Sequence, residues 1–158
     1  MSDDQRHLRI LAFSSVAAIA SLYIVGIVSH GIIRHIVQTA PMWIGVWLAV
    51  KVSRWAKWAA LPCLLLWLFL MINIWFFVLG WPHFLSGTFS PVEIALTIII
   101  ATACVVGVGA GIRTRGPTSM ARAVVLAAVV FALQVVALRV SFLPGVSRDP
   151  WYHRAASR

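Results

Sequence analysis

Five long apolar runs dominate this sequence, and they decide which solvent the chain folds in. They cover about residues 8–29, 36–52, 58–81, 91–112 and 121–143. A helix crossing the hydrocarbon core of a bilayer needs ~20 mainly apolar residues, with a range of about 17–25. Four runs meet this comfortably. The second, with Pro41 near its start, is marginal. The runs are apolar on every face: 64–72 reads Leu-Leu-Leu-Trp-Leu-Phe-Leu-Met-Ile without alternation. Barrel strands alternate in segments of about 10 residues. In lipid each segment must satisfy its own backbone, so each run is predicted to be an α-helix. The expected fold is therefore all-α: one polytopic transmembrane helical bundle of five spans, with four as the alternative. A short tail follows at 144–158.

Composition supports the same solvent. Of 158 residues, 61% are hydrophobic and 11% charged, against about 25% charged in an average soluble domain. A globule in water would have too few charges to cover its surface, and disordered chains are poor in apolar residues. The net charge of +9 comes from basic residues between the runs. That is the pattern of membrane flanks, not of a nucleic-acid footprint. Cys63 and Cys104 each lie inside an apolar run, as small apolar fillers do. Arg6 and Arg9 ahead of Ile10, with Ala18-Ile19-Ala20 beyond, imitate a secretory leader. Because apolar sequence continues to Val28 and Asp3 and Asp4 precede the basic pair, we read a first span.

Local signals mark the ends. Ser90-Pro91-Val92-Glu93 combines an N-cap, a proline at the first helical position and a capping-box glutamate. Gly116-Pro117-Thr118-Ser119 is a turn that opens the fifth helix, and Pro144-Gly145 closes it. Pro62 lies one turn inside the third helix, a position where a kink is expected.

Lys and Arg concentrate on the cytoplasmic side of bacterial membrane proteins. With five spans, Arg6, Arg9, Lys51, Arg54, Lys57, Arg113, Arg115 and Arg122 share the side of the N-terminus. Arg34, Arg139 and the arginines of the tail share the other. This predicts a multi-pass protein of the bacterial inner membrane, N-terminus in and C-terminus out. Trp55 and Trp58 beside the inner basic loop, and Trp43 and Trp81 toward the outer side, fit headgroup-level indoles.

Polar groups within spans are expensive and so are the default functional candidates. Asn73 and Gln134 are expected to hydrogen-bond across helices and fix register. No acid lies deep in a span, which argues against an ion-coupled transporter. Glu93 and Arg139, at one depth on successive helices, are expected within salt-bridge reach; the alternative is that Glu93 only caps and Arg139 snorkels. Ala103, Gly107 and Gly111 form a small-residue face for close helix contact, within the chain or with a partner. His30, His35 and His83 fall at the outer face. They are read as solvated interfacial groups, with a metal or haem iron as the alternative. Between the first two spans, Arg34, His35, Gln38 and Thr39 form the most polar stretch, suited to a quinone or lipid headgroup pocket together with 81–90.

No nucleophile stands in a catalytic context. The expectation is therefore a non-catalytic accessory or oligomer-forming subunit without a favoured cofactor. Its partners would be the lipid bilayer and a membrane protein or a second copy of itself. The alternative is an outer-face histidine site binding a metal, haem or quinone, in a redox or membrane-enzyme role.

Overall fold

A computed structural model describes residues 2–83, 89–116 and 119–147. The described residues form helices without strands: α1 (Asp3–Val28), α2 (Ile32–Thr39), α3 (Met42–Val50), α4 (Ala56–Val78), α5 (Pro91–Arg113), α6 (Met120–Ser141) and the single turn α7 (Pro144–Ser147). Four of them, α1, α4, α5 and α6, are long and apolar enough to cross a membrane.

The second apolar run corrects the expectation of five uninterrupted spans. It is split into α2 and α3, ~12 and ~14 Å long at 1.5 Å per residue, and neither crosses a bilayer alone. The cause is Pro41, which has no N–H to offer the Val37 carbonyl. The Ala40 N–H donates there instead, at 3.3 Å. Thr39 Oγ1 covers the break, donating to the His35 carbonyl at 2.9 Å and lying 3.2 Å from Tyr23 Oη on α1, within hydrogen-bond distance. Trp43 Nε1 donates to the same Tyr23 oxygen at 3.3 Å. Together α2 and α3 return the chain to the end where α4 begins. That end is fixed by Lys57 Nζ donating to the Thr114 carbonyl at 2.7 Å and by the Arg115 N–H donating to Asp4 Oδ1 at 2.8 Å.

The predicted cap of α5 is present. Ser90 Oγ accepts from the Glu93 N–H at 3.3 Å, and Glu93 Oε2 accepts from the Ser90 N–H at 2.7 Å. An equivalent box, Ser2 with Gln5, opens α1. Pro62 lies inside α4 without ending it.

Three helices end in Schellman motifs, in which a left-handed residue lets two N–H groups reach back to the last turn. Gly80 fills this position after α4, with the Trp81 N–H donating to the Phe76 carbonyl at 2.8 Å. His30 (φ 54°) does so after α1, and Val52 (φ 53°) after α3. A β-branched residue is an outlier there. Val52→Gly is therefore expected to stabilise the protein by ~1 kcal/mol, read as a higher midpoint in a detergent unfolding titration.

The core lies between α1, α4 and α5, with α3 against α1 and α4. Leu11, Ile19, Leu22, Leu64, Ile100 and both cysteines are buried in or beside it. Close approach depends on small residues. A Cβ on Gly45 of α3 would lie 2.9 Å from the Ala60 Cα of α4, and one on Gly26 would lie 2.9 Å from the Ile32 Cα of α2. Helix α6 packs on α4 and α2 and leaves Val125, Val129 and Val136 exposed. That outward apolar surface suits lipid rather than water.

Candidate functional site

The site is built around α2, the most polar helix of the bundle. Gly26 lets α2 lie directly on the last turn of α1, so His35 is buried against α1. Arg34, His35 and Gln38 then border a cavity of about 370 Å³ at the end of the bundle opposite the N-terminus. This is within the ~300–1,000 Å³ of typical ligand pockets. Ser29, Glu93 and Thr97 add polar groups. Leu22, Val25, Trp67, Leu70, Met71, Ile74 and Ile100 form an apolar wall, and Phe89 and Phe142 also line the space. From Glu93 to Ile100 the wall descends ~10 Å along α5. The cavity is thus polar at its outer end and apolar toward the middle of the bundle.

Each polar group has a definite disposition. His35 Nδ1 lies 3.0 Å from the Gly31 carbonyl. A carbonyl only accepts, so Nδ1 carries the hydrogen and Nε2 of the neutral ring is left as an acceptor. Gln38 Nε2 donates to Ser141 Oγ at 2.9 Å, and Gln134 Nε2 donates to the Gln38 carbonyl at 2.7 Å. These two bonds tie α2 to α6. The Arg34 guanidinium sits 5.3 Å from the centroid of the Phe142 ring, and its Nε is buried without a hydrogen-bond partner. No carboxylate lies within 4.0 Å of it among the described residues. Glu93 is near enough to act electrostatically on both Arg34 and His35, although its Oε2 caps α5.

The residues singled out from sequence are distributed as follows. Of the three outer histidines, only His35 lines the cavity. His30 occupies the left-handed position after α1. His83 is exposed, with Nδ1 donating to the Trp81 carbonyl at 2.7 Å and its ring edge-on to Phe77 at 4.9 Å. Among the described residues no three His, Cys, Asp or Glu side chains converge as metal ligands would. His153 and most of the tail lie outside the described residues, as do residues 84–88.

The expected Glu93–Arg139 ion pair is corrected. No contact within 4.0 Å joins the two, and Arg139 is exposed. The expectation assumed that helices linked by a short turn are neighbours. Here α5 packs on α1 and α4, whereas α6 packs on α4 and α2. Gln134 does bond across helices, but Asn73 Nδ2 donates back to the Phe69 carbonyl of its own helix at 2.9 Å. The face of Ala103, Gly107 and Gly111 is used inside the chain. Gly107 faces Leu64 and Ser14, and Gly111 faces Leu61 and Leu11.

Sequence reasoning did not find Trp67, Met71, Thr97 and Ile100 as cavity wall. They look like ordinary span residues, and only the assembled bundle, in which α4 and α5 face the cavity bordered by α2, reveals their role. Fold and cavity together define a small helical bundle suited to the membrane, with one amphipathic chamber near one end. Comparison with protein-family models, curated proteins and solved structures found no match.

Proposed function

We propose that this chain is a non-catalytic accessory subunit of the bacterial inner membrane that binds an amphiphile, a quinone or a lipid, in the chamber beside α2. The N-terminal end faces the cytoplasm in this reading, because Arg6, Arg9, Lys51, Arg54, Lys57, Arg113, Arg115 and Arg122 gather there and basic flanks are retained inside. One observation carries the binding role: a guanidinium without a carboxylate partner among the described residues stands at the polar end of an otherwise apolar cavity. An unpartnered buried donor is costly, and a carbonyl or phosphate oxygen of a bound headgroup would satisfy it. His35 Nε2 supplies an acceptor beside it, which suits a head that also carries a hydroxyl. The apolar wall suits a hydrocarbon tail. Among the described residues His35 is the single histidine of the lining, which favours quinone or lipid over haem or a metal.

The test is mass spectrometry of small molecules retained by protein purified in mild detergent from its native membrane. A stoichiometric amphiphile is expected. Arg34→Gln is expected to reduce its retention about tenfold or more, the equivalent of one charge-assisted hydrogen bond. A chamber that carries no amphiphile, or a ligand indifferent to Arg34→Gln, would overturn the reading.

A further inference from the structure

A second groove lies at the opposite end of the bundle. It has a volume of about 400 Å³ and is lined by Arg6, His7 and Ile10 of α1 and by Val106, Gly109, Ala110 and Arg113 of α5. Both sets follow helical spacing, so each is one stripe of its helix. The cationic groups sit at the outer ends of the stripes. Ile10 lies one turn further in from Arg6, and Val106 two turns further in from Arg113, giving an apolar floor ~10 Å long. Among the described residues no acid lines the groove, and Asp4 is held toward the loop after α5 by the Arg115 N–H.

Gly109 is the telling residue. Gly107 and Gly111 each face a neighbouring side chain at about 3 Å, so packing explains them. A Cβ on Gly109 would meet nothing within 4 Å. Among the described residues no contact requires glycine here, and glycine weakens a helix interior. What its bare backbone provides is an open slot beneath the basic groups.

We infer that this groove binds one anionic phospholipid, its phosphate held by Arg6, His7 and Arg113 and an acyl chain lying along Gly109. Basic pockets between transmembrane helices recognise acidic headgroups in this way. A free phosphate would use the cations but not the apolar slot, so the lipid is the fitting occupant. The inference is independent of the chamber beside α2.

The test is native mass spectrometry of the full-length protein from detergent micelles carrying phosphatidylglycerol or phosphatidylcholine, with a parallel sample in inorganic phosphate. One phosphatidylglycerol is expected to be retained in preference to phosphatidylcholine, and phosphate is expected not to displace it. The double variant Arg6→Gln/Arg113→Gln is expected to lower retention about thirtyfold, roughly fivefold for each charge removed. Gly109→Leu is expected to abolish retention by filling the slot, while the unfolding temperature stays the same or rises. Arg34→Gln is expected to leave this lipid in place. Equal retention of the two lipids, displacement by phosphate, or wild-type retention by Gly109→Leu would each overturn the assignment.

Discussion

Gly45→Val is expected to lower the stability of the bundle by about 3 kcal/mol, the upper end of the usual cost of overpacking. The Cβ alone would stand 2.8 Å from the Ala60 Cβ, 2.9 Å from its Cα and 3.1 Å from its nitrogen. Two of these three atoms are backbone, so no rotamer change relieves the clash. Ala60 is itself buried, with 2% of its surface exposed. Helix α3 must therefore move away from α4, and it is only nine residues long. Unfolding in mixed micelles measures the effect, with Gly45→Ala as a milder member of the series. A valine variant as stable as the wild type would show that α3 does not pack where the structure places it.

Gly26→Val is expected to damage stability and ligand retention together. Its side chain would meet the Ile32 Cα at 2.9 Å, His35 Nδ1 at 3.1 Å and His35 Cβ at 3.2 Å. Relief requires α2 to move off α1, carrying Arg34, His35 and Gln38 out of register with the apolar wall. The expected cost is about 1–3 kcal/mol, with retention of the chamber's amphiphile reduced at least about tenfold, as for Arg34→Gln. The comparison of the two variants is informative. Arg34→Gln should spare stability, because Arg34 is only half-buried and makes no ion pair within 4.0 Å among the described residues. Gly26→Val should not. A Gly26→Val protein that retains the amphiphile as the wild type does would remove α2 from the site.

The bundle and most helix ends were legible in the sequence because they follow from local chemistry. Apolar length defines α1, α4, α5 and α6, and the Ser90–Glu93 pair opens α5 through contacts three residues apart. The break in the second run was only half legible. Pro41 signalled a weak span, but the hydrogen bonds of Thr39 and Tyr23 that stabilise two short helices depend on tertiary packing. His30 and Val52 hide two Schellman ends, since the usual signal for that conformation is glycine. The polar stretch 31–41 pointed to this end of the bundle, and Arg34, His35 and Gln38 border a cavity there. Its other walls were not legible. Which helices flank α2 is a matter of topology, and the same gap placed Glu93 opposite Arg139 instead of toward Arg34.

The split of the second run bears on how the chain is made. A translocon releases segments into lipid according to their apolar length, and α2 with α3 is short, interrupted and burdened with Arg34, His35 and Gln38. Its place in lipid depends on the long helices it packs against, α1 made before it and α4 made after it. The last tie, from Gln38 to Ser141 and from Gln134 back to Gln38, waits until the ribosome has delivered α6. The chamber is thus completed only once α6 has been made, and a nascent chain truncated before Gln134 would leave it open along one flank.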